Sequence, residues 1–122
     1  MSWILLGLGG AVGTLLRHGL AVLGKRLFGD AWFPVGTFAA NALGSFALVL
    51  VWVALEDKQV FGVDARLVFG TGVMGGFTTY STFNLALVQL FQAGDTGRGV
   101  LYLLATVCVC LGAGLLGFAV AR

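Results

Sequence analysis

The chain has 122 residues, 59% of them hydrophobic and 10% charged, with a formal net charge of +2. A soluble domain of this size needs a more polar surface than that. The basic residues are scattered and form no patch of the kind that binds nucleic acid.

The hydrophobic residues run in four blocks: Trp3 to Leu23, Gly36 to Leu55, Leu67 to Phe91 and Gly99 to Ala121. Each holds about 20 residues or more, enough for a helix to cross a hydrocarbon core of roughly 30 Å. The expectation is an all-α membrane protein, one domain over residues 1–122, with four transmembrane helices. The first block is expected to be a span and not a cleaved signal, because no basic segment precedes it and three further blocks follow.

In the first helix Gly9 and Gly13 form a small-xxx-small pair, which lets backbones approach in lipid. Arg17 lies about 20 Å into that helix at 1.5 Å per residue, with His18 beside it. A guanidinium at such depth costs ~2.5 kcal/mol or more. It either faces a wet cavity or a partner, or it snorkels to the nearer interface. Both leave positive charge near one mouth of any pathway.

Pro34 stands where a helix start tolerates it, just before the second block. Thr37, Asn41 and Ser45 are spaced by four and share one face of the second helix. The Asn41 amide can donate two hydrogen bonds. The stripe serves either helix-to-helix bonding or a polar path. Ala40 and Gly44 are another small pair.

The third block carries "GTGVMGGFTTYSTF", Gly70 to Phe83. Glycine costs about 1 kcal/mol relative to alanine inside a helix. Gly70, Gly72, Gly75 and Gly76, followed by the β-branched Thr78 and Thr79, predict an unwound point near the middle of the third helix. Freed backbone at that depth is tolerated only when buried in protein or satisfied by water or an ion. At such breaks carbonyls face cations and amides face anions. Beyond it, Tyr80, Phe83 and Asn84 share a face. Aromatic rings are positive at their edges, so this face either favours an anion or packs in a core. Leu87, one turn further, is expected to face lipid.

In the fourth helix Tyr102, Thr106 and Cys110 repeat the spacing of four. Cys108 and Cys110 lie on nearly opposite faces, which excludes a bridge between them. C-x-C with one distant histidine is not a metal motif. No Asp or Glu falls deep in any block. A cation pore or proton-coupled exporter usually wants such a carboxylate. No nucleophile–base pair supports an enzyme. Four crossings put Lys58, Arg66 and Arg122 on one side and Lys25, Arg26 and Arg98 on the other. That tie leaves the positive-inside rule nothing to act on. Either flanking details orient the chain, or it inserts both ways and pairs antiparallel with itself.

Three stretches, "GGAVGTLLRH" (9–18), "GTFAANALGS" (36–45) and "GTGVMGGFTTYSTF" (70–83), resemble those of the Fluc (CrcB) fluoride channels of bacteria. The resemblance covers the whole chain, and the third stretch is the most specific. It implies a dual-topology antiparallel homodimer in the bacterial inner membrane that lets fluoride leave the cell passively. It implies a central Na+ held at the third-helix break by the backbone carbonyls of Gly75 and Thr78 from both subunits. It assigns Asn41 as a pore donor, Tyr80 and Phe83 as the aromatics along the fluoride path, Tyr102 and Thr106 as fourth-helix pore residues, and Arg17 to the vestibule. Two departures stand out. Tyr80 replaces the usual Phe, and Cys108 and Cys110 stand where serines are often found, so the hydroxyl track is either partly lost or shifted to Ser81 and Thr82. The alternative, a small four-helix dual-topology multidrug exporter, needs a membrane-embedded Glu in the first helix, and there is none.

Overall fold

The structure is a computed structural model that describes all 122 residues. Helix α1 (Ser2–Phe28) ends at Gly29, whose φ of 61° suits glycine and whose N–H donates to the Lys25 carbonyl. Lys25 and Arg26 occupy its last turn, where cations complement the negative end of the helix dipole. The helix therefore outruns the apolar block that marks it. Helix α2 (Val35–Ala54) starts after Pro34, whose carbonyl accepts from the Phe38 N–H at 3.0 Å.

A two-residue hairpin that the sequence reading did not foresee follows. Strands β1 (Gln59–Val60) and β2 (Val63–Asp64) pair antiparallel, with Gln59 opposite Asp64 and Val60 opposite Val63. Phe61 and Gly62 turn between them with φ of 50° and 79°, as a tight primed turn requires. Arg66 anchors the hairpin to α2. Its N–H donates to Asp64 Oδ1 at 3.0 Å and its Nε to the Trp52 carbonyl, a group the end of α2 leaves open. The guanidinium also lies 4.9 Å from the Trp52 ring centre and 3.8 Å from Glu56 Oε2.

The third apolar block is not one helix. It is a π-helix (Arg66–Met74), a single α-turn, α3 (Gly75–Phe77), two extended residues, and α4 (Tyr80–Gln92). A π-helix of nine residues is unusual, since most π segments are one turn. Each piece is shorter than the roughly 20 residues of a crossing. Three helices, α1, α2 and α5 (Thr96–Ala121), are long and apolar enough to span a membrane.

Backbone contact sets the packing. α2 runs along α5, where a Cβ on Gly117 would come within 2.5 Å of the Phe46 carbonyl. α1 lies on the π-helix and α3, where a Cβ on Gly76 would meet the Gly10 carbonyl at 2.5 Å and one on Gly13 would collide with the Val73 carbonyl. The pair Gly9 and Gly13 on α1 thus faces the segment holding Gly72 and Gly76 within one chain. Only 15 of 122 residues are buried, so most apolar side chains point outward, to lipid or another protein surface. The buried apolar centre is Phe83, Leu87 and Tyr102, flanked by Trp32, Phe33 and Phe38. Leu87, expected to face lipid, is 8% exposed because α4 turns that face onto α5.

Candidate functional site

The backbone breaks at Thr78 (φ −92°, ψ 152°) and Thr79 (φ −154°, ψ 127°). The glycines before them remain helical, so the break falls just beyond the glycine run. Gly76 is needed for approach to Gly10, as shown above, and β-branched threonine accepts extended backbone readily. Thr79 then caps α4, its Oγ1 accepting from the Thr82 N–H at 3.4 Å. Thr78 turns back: its N–H and its Oγ1 both donate to the Met74 carbonyl, at 2.9 and 3.0 Å. Its methyl sits on Gly44 of α2, where any Cβ would collide with it.

Two side chains from other helices grip this backbone. Asn41, nearly buried on α2, donates from Nδ2 to the Thr79 carbonyl at 3.2 Å and accepts from the Thr79 N–H at 3.0 Å. Both bonds are met by one amide orientation, which leaves one Nδ2 hydrogen free. Arg17 of α1 donates from Nε to the Gly76 carbonyl at 3.3 Å and from Nη1 to Thr82 Oγ1 at 3.4 Å. It therefore points at the break and does not snorkel. Arg17, His18, Thr14, Thr37 and Thr82 line a cavity of about 340 Å³ between α1 and α2.

The break also leaves acceptors unused. The Thr78 carbonyl accepts no hydrogen bond, and no loop residue or side chain donates to the Gly75 carbonyl. Gly75 is exposed and edges an apolar groove of about 570 Å³ whose walls include Leu48, Trp52, Thr71 and Phe118.

Beyond the break the aromatic rings form a chain. Tyr80 and Phe83 meet with centroids 5.8 Å apart, Phe83 and Tyr102 at 5.1 Å, and Tyr102 and Phe33 at 5.2 Å. Tyr80 is 75% exposed, whereas Phe83 and Tyr102 are buried. The hydroxyls of Tyr102 and Thr106, one helical turn apart, are buried with no hydrogen-bond partner. A buried polar group left unpaired costs ~1–3 kcal/mol. Buried polar groups are normally paired, so two unpaired on one face are an exception. Cys110, the next residue of the stripe, is half-buried and shares a groove of about 450 Å³ with Ser45, while Cys108 faces outward. Thr82 is held by Arg17, and Ser81 is exposed.

The structure thus brings together Arg17, Asn41, Gly75, Thr78 and Thr82 around the break, and Phe83, Tyr102 and Thr106 beside it. It gives Thr79 and Gly44 contacts at the break that the sequence did not reveal, and adds Phe33. A threonine just before the apolar run that opens α4 is a helix-start signal, and it points to Thr79 as the cap.

The family model for CrcB-like protein, Camphor Resistance (CrcB), matches residues 4–118. The chain belongs to the CrcB family. Similar proteins include one of Sorangium cellulosum, 44% identical over 120 residues, covering 98% of this chain and 94% of that protein. One of Rhizobium johnstonii is 39% identical over 119 residues, with coverage of 98% and 94%. One of Thermus thermophilus is 39% identical over 116 residues, with coverage of 95% and 91%. All three are named fluoride-specific ion channel FluC. The CrcB match reaches into every helix and covers both sides of the break.

Proposed function

We propose that this protein is a fluoride-selective channel of the bacterial cell membrane, letting fluoride leave passively and so protecting the cell from it. The observation that carries the reading is the pair of buried, unpartnered hydroxyls on Tyr102 and Thr106 beside the Phe83 ring, in spans that hold no carboxylate. Fluoride is small and strongly hydrated. It gives up its water only to many donors at close range. Arg17 and Thr82 stand at the entrance. The free Nδ2 hydrogen of Asn41, the Ser81 hydroxyl and the ring edges of Tyr80 and Phe83 come next. Tyr102 and Thr106 complete the route. None of these is a deep fixed anion or an isolated buried cation that would trap or repel the ion.

The π-helix, α3 and α4 laid end to end make the fourth crossing of a single transmembrane domain. The working unit is an antiparallel homodimer. The groove beside Gly75 and the outward apolar faces suit a second copy, and the Lys and Arg tie across the loops suits insertion in both orientations. The carbonyls of Gly75 and Thr78 fit a hard cation, so Na+ at the two-fold axis would be held by these atoms from both protomers. A bound cation would supply positive charge to balance the carbonyl dipoles in lipid.

Purified protein in liposomes should release fluoride and retain chloride without a proton gradient. Equal release of both ions would end the selectivity reading. Flux that requires a proton gradient would favour an exporter.

A further inference from the structure

We infer that Arg17 is a positioning residue: it bridges the break and holds the two helical halves in register, beyond contributing charge at the pathway's entrance. Its two acceptors lie on opposite sides of the extended pair Thr78–Thr79. The Gly76 carbonyl belongs to α3, and Thr82 Oγ1 to the first turn of α4. The Gly76 carbonyl is one the break orphans, since the extended pair Thr78–Thr79 carries the amide four residues on, Tyr80, away from it. Arg17 reaches it because α1 and the third segment touch backbone to backbone at Gly13 and Gly76. One turn past Gly13, a long side chain lands beside the break.

The grip extends to a second helix. Thr82 also donates its N–H to Thr79 Oγ1, and Thr79 is clasped at both backbone groups by Asn41. The break is therefore tied to α1 through Arg17 and to α2 through Asn41. What is fixed is the direction of the Gly75 and Thr78 carbonyls on one side and of the Tyr80 and Phe83 rings on the other. A guanidinium suits this bridge because its planar fork offers several N–H groups at fixed angles. A lysine ammonium is a compact charge on a flexible stem and does not span two acceptors in the same way.

That difference separates the bridge from a free charge. Arg17→Lys keeps the charge and removes the fork. A free entrance charge acts on anions through its field and is screened by salt. A bridge acts through geometry and is not. The test uses full-length protein and rests, for its flux arm only, on the fluoride-channel reading. Fluoride and chloride efflux from liposomes is measured at low and high ionic strength for wild type and Arg17→Lys. Hydrogen–deuterium exchange over residues 77–83 is followed in parallel. The expected result is a loss of fluoride efflux of roughly tenfold or more at both ionic strengths, the scale of about two lost hydrogen bonds, with faster exchange across the break. Wild-type flux, or a loss that depends on ionic strength with exchange unchanged, would overturn the proposal. Thr82→Val removes one acceptor and leaves Arg17 in place. It should also speed exchange, and unchanged exchange in this variant overturns the bridge even if Arg17→Lys does not fold. Should the wild type pass no fluoride, the channel reading fails while the exchange arm still decides the bridge.

Discussion

Gly13→Ala is the sharpest perturbation the packing offers. An added Cβ would press on the Val73 carbonyl and lie 2.8 Å from the Phe77 nitrogen. Ordinary contact begins near 3.4 Å, so relief at Phe77 alone asks α1 to withdraw by about 0.6 Å. Arg17 sits one turn further along α1, and its bonds are already 3.3 and 3.4 Å. A withdrawal of that size takes both past the roughly 3.5 Å reach of a hydrogen bond. Overpacking costs ~1–3 kcal/mol and each lost hydrogen bond ~0.5–1.5 kcal/mol. Alanine's helix propensity returns about 1 kcal/mol, leaving a net loss of roughly 1–5 kcal/mol. Thermal unfolding in detergent, read as loss of the monodisperse species, measures it, with fluoride efflux as the second readout. The control is Gly7→Ala on the same helix, where nothing lies within 4 Å of the new Cβ. Gly7→Ala should be neutral or slightly stabilising. If Gly13→Ala proves as stable and as active as Gly7→Ala, the backbone contact between α1 and the broken segment is not what the structure depicts.

Gly44→Ala should displace the Thr78 methyl and lower fluoride efflux while leaving the secondary structure by circular dichroism intact; unchanged efflux would mean that Thr78 tolerates movement. Tyr80→Phe should keep fluoride flux, because the ring edge remains, whereas Tyr80→Ile and Phe83→Ile should lose most of it with the oligomeric state unchanged; Leu85→Ile, on the exposed side of α4, is the control. Single cysteines placed at each terminus in a background without Cys108 and Cys110 should label from both sides of the membrane, and labelling from one side only would contradict dual topology.

The long apolar elements were legible in the sequence because hydrophobic runs depend only on local composition. Their ends were not. α1 runs past Leu23 through Lys25 and Arg26, which a hydropathy reading counts against a span although both favour a helix C-terminus. The third block shows the limit more clearly. Four glycines signalled a break, yet they stay helical, because Gly76 is spent on contact with Gly10 and only the fold reveals that partner. Asn41 was recognisable as a polar residue too costly to ignore. That it grips Thr79 could not be read from spacing, since the two are 38 residues apart. Arg17 was similar: its burial cost was foreseeable, and its two acceptors across the break were not. Leu87 was misjudged although it lies four residues from Phe83 on the same face, and that face packs on Tyr102 of α5.

The most direct measurement is the reversal potential of the purified protein in a planar bilayer, with a tenfold fluoride gradient and symmetric chloride. Fluoride selectivity requires reversal at the fluoride equilibrium potential, about 59 mV, since a tenfold ratio is worth about 1.4 kcal/mol and 100 mV about 2.3 kcal/mol per charge. Reversal near zero, where chloride is at equilibrium, would contradict it.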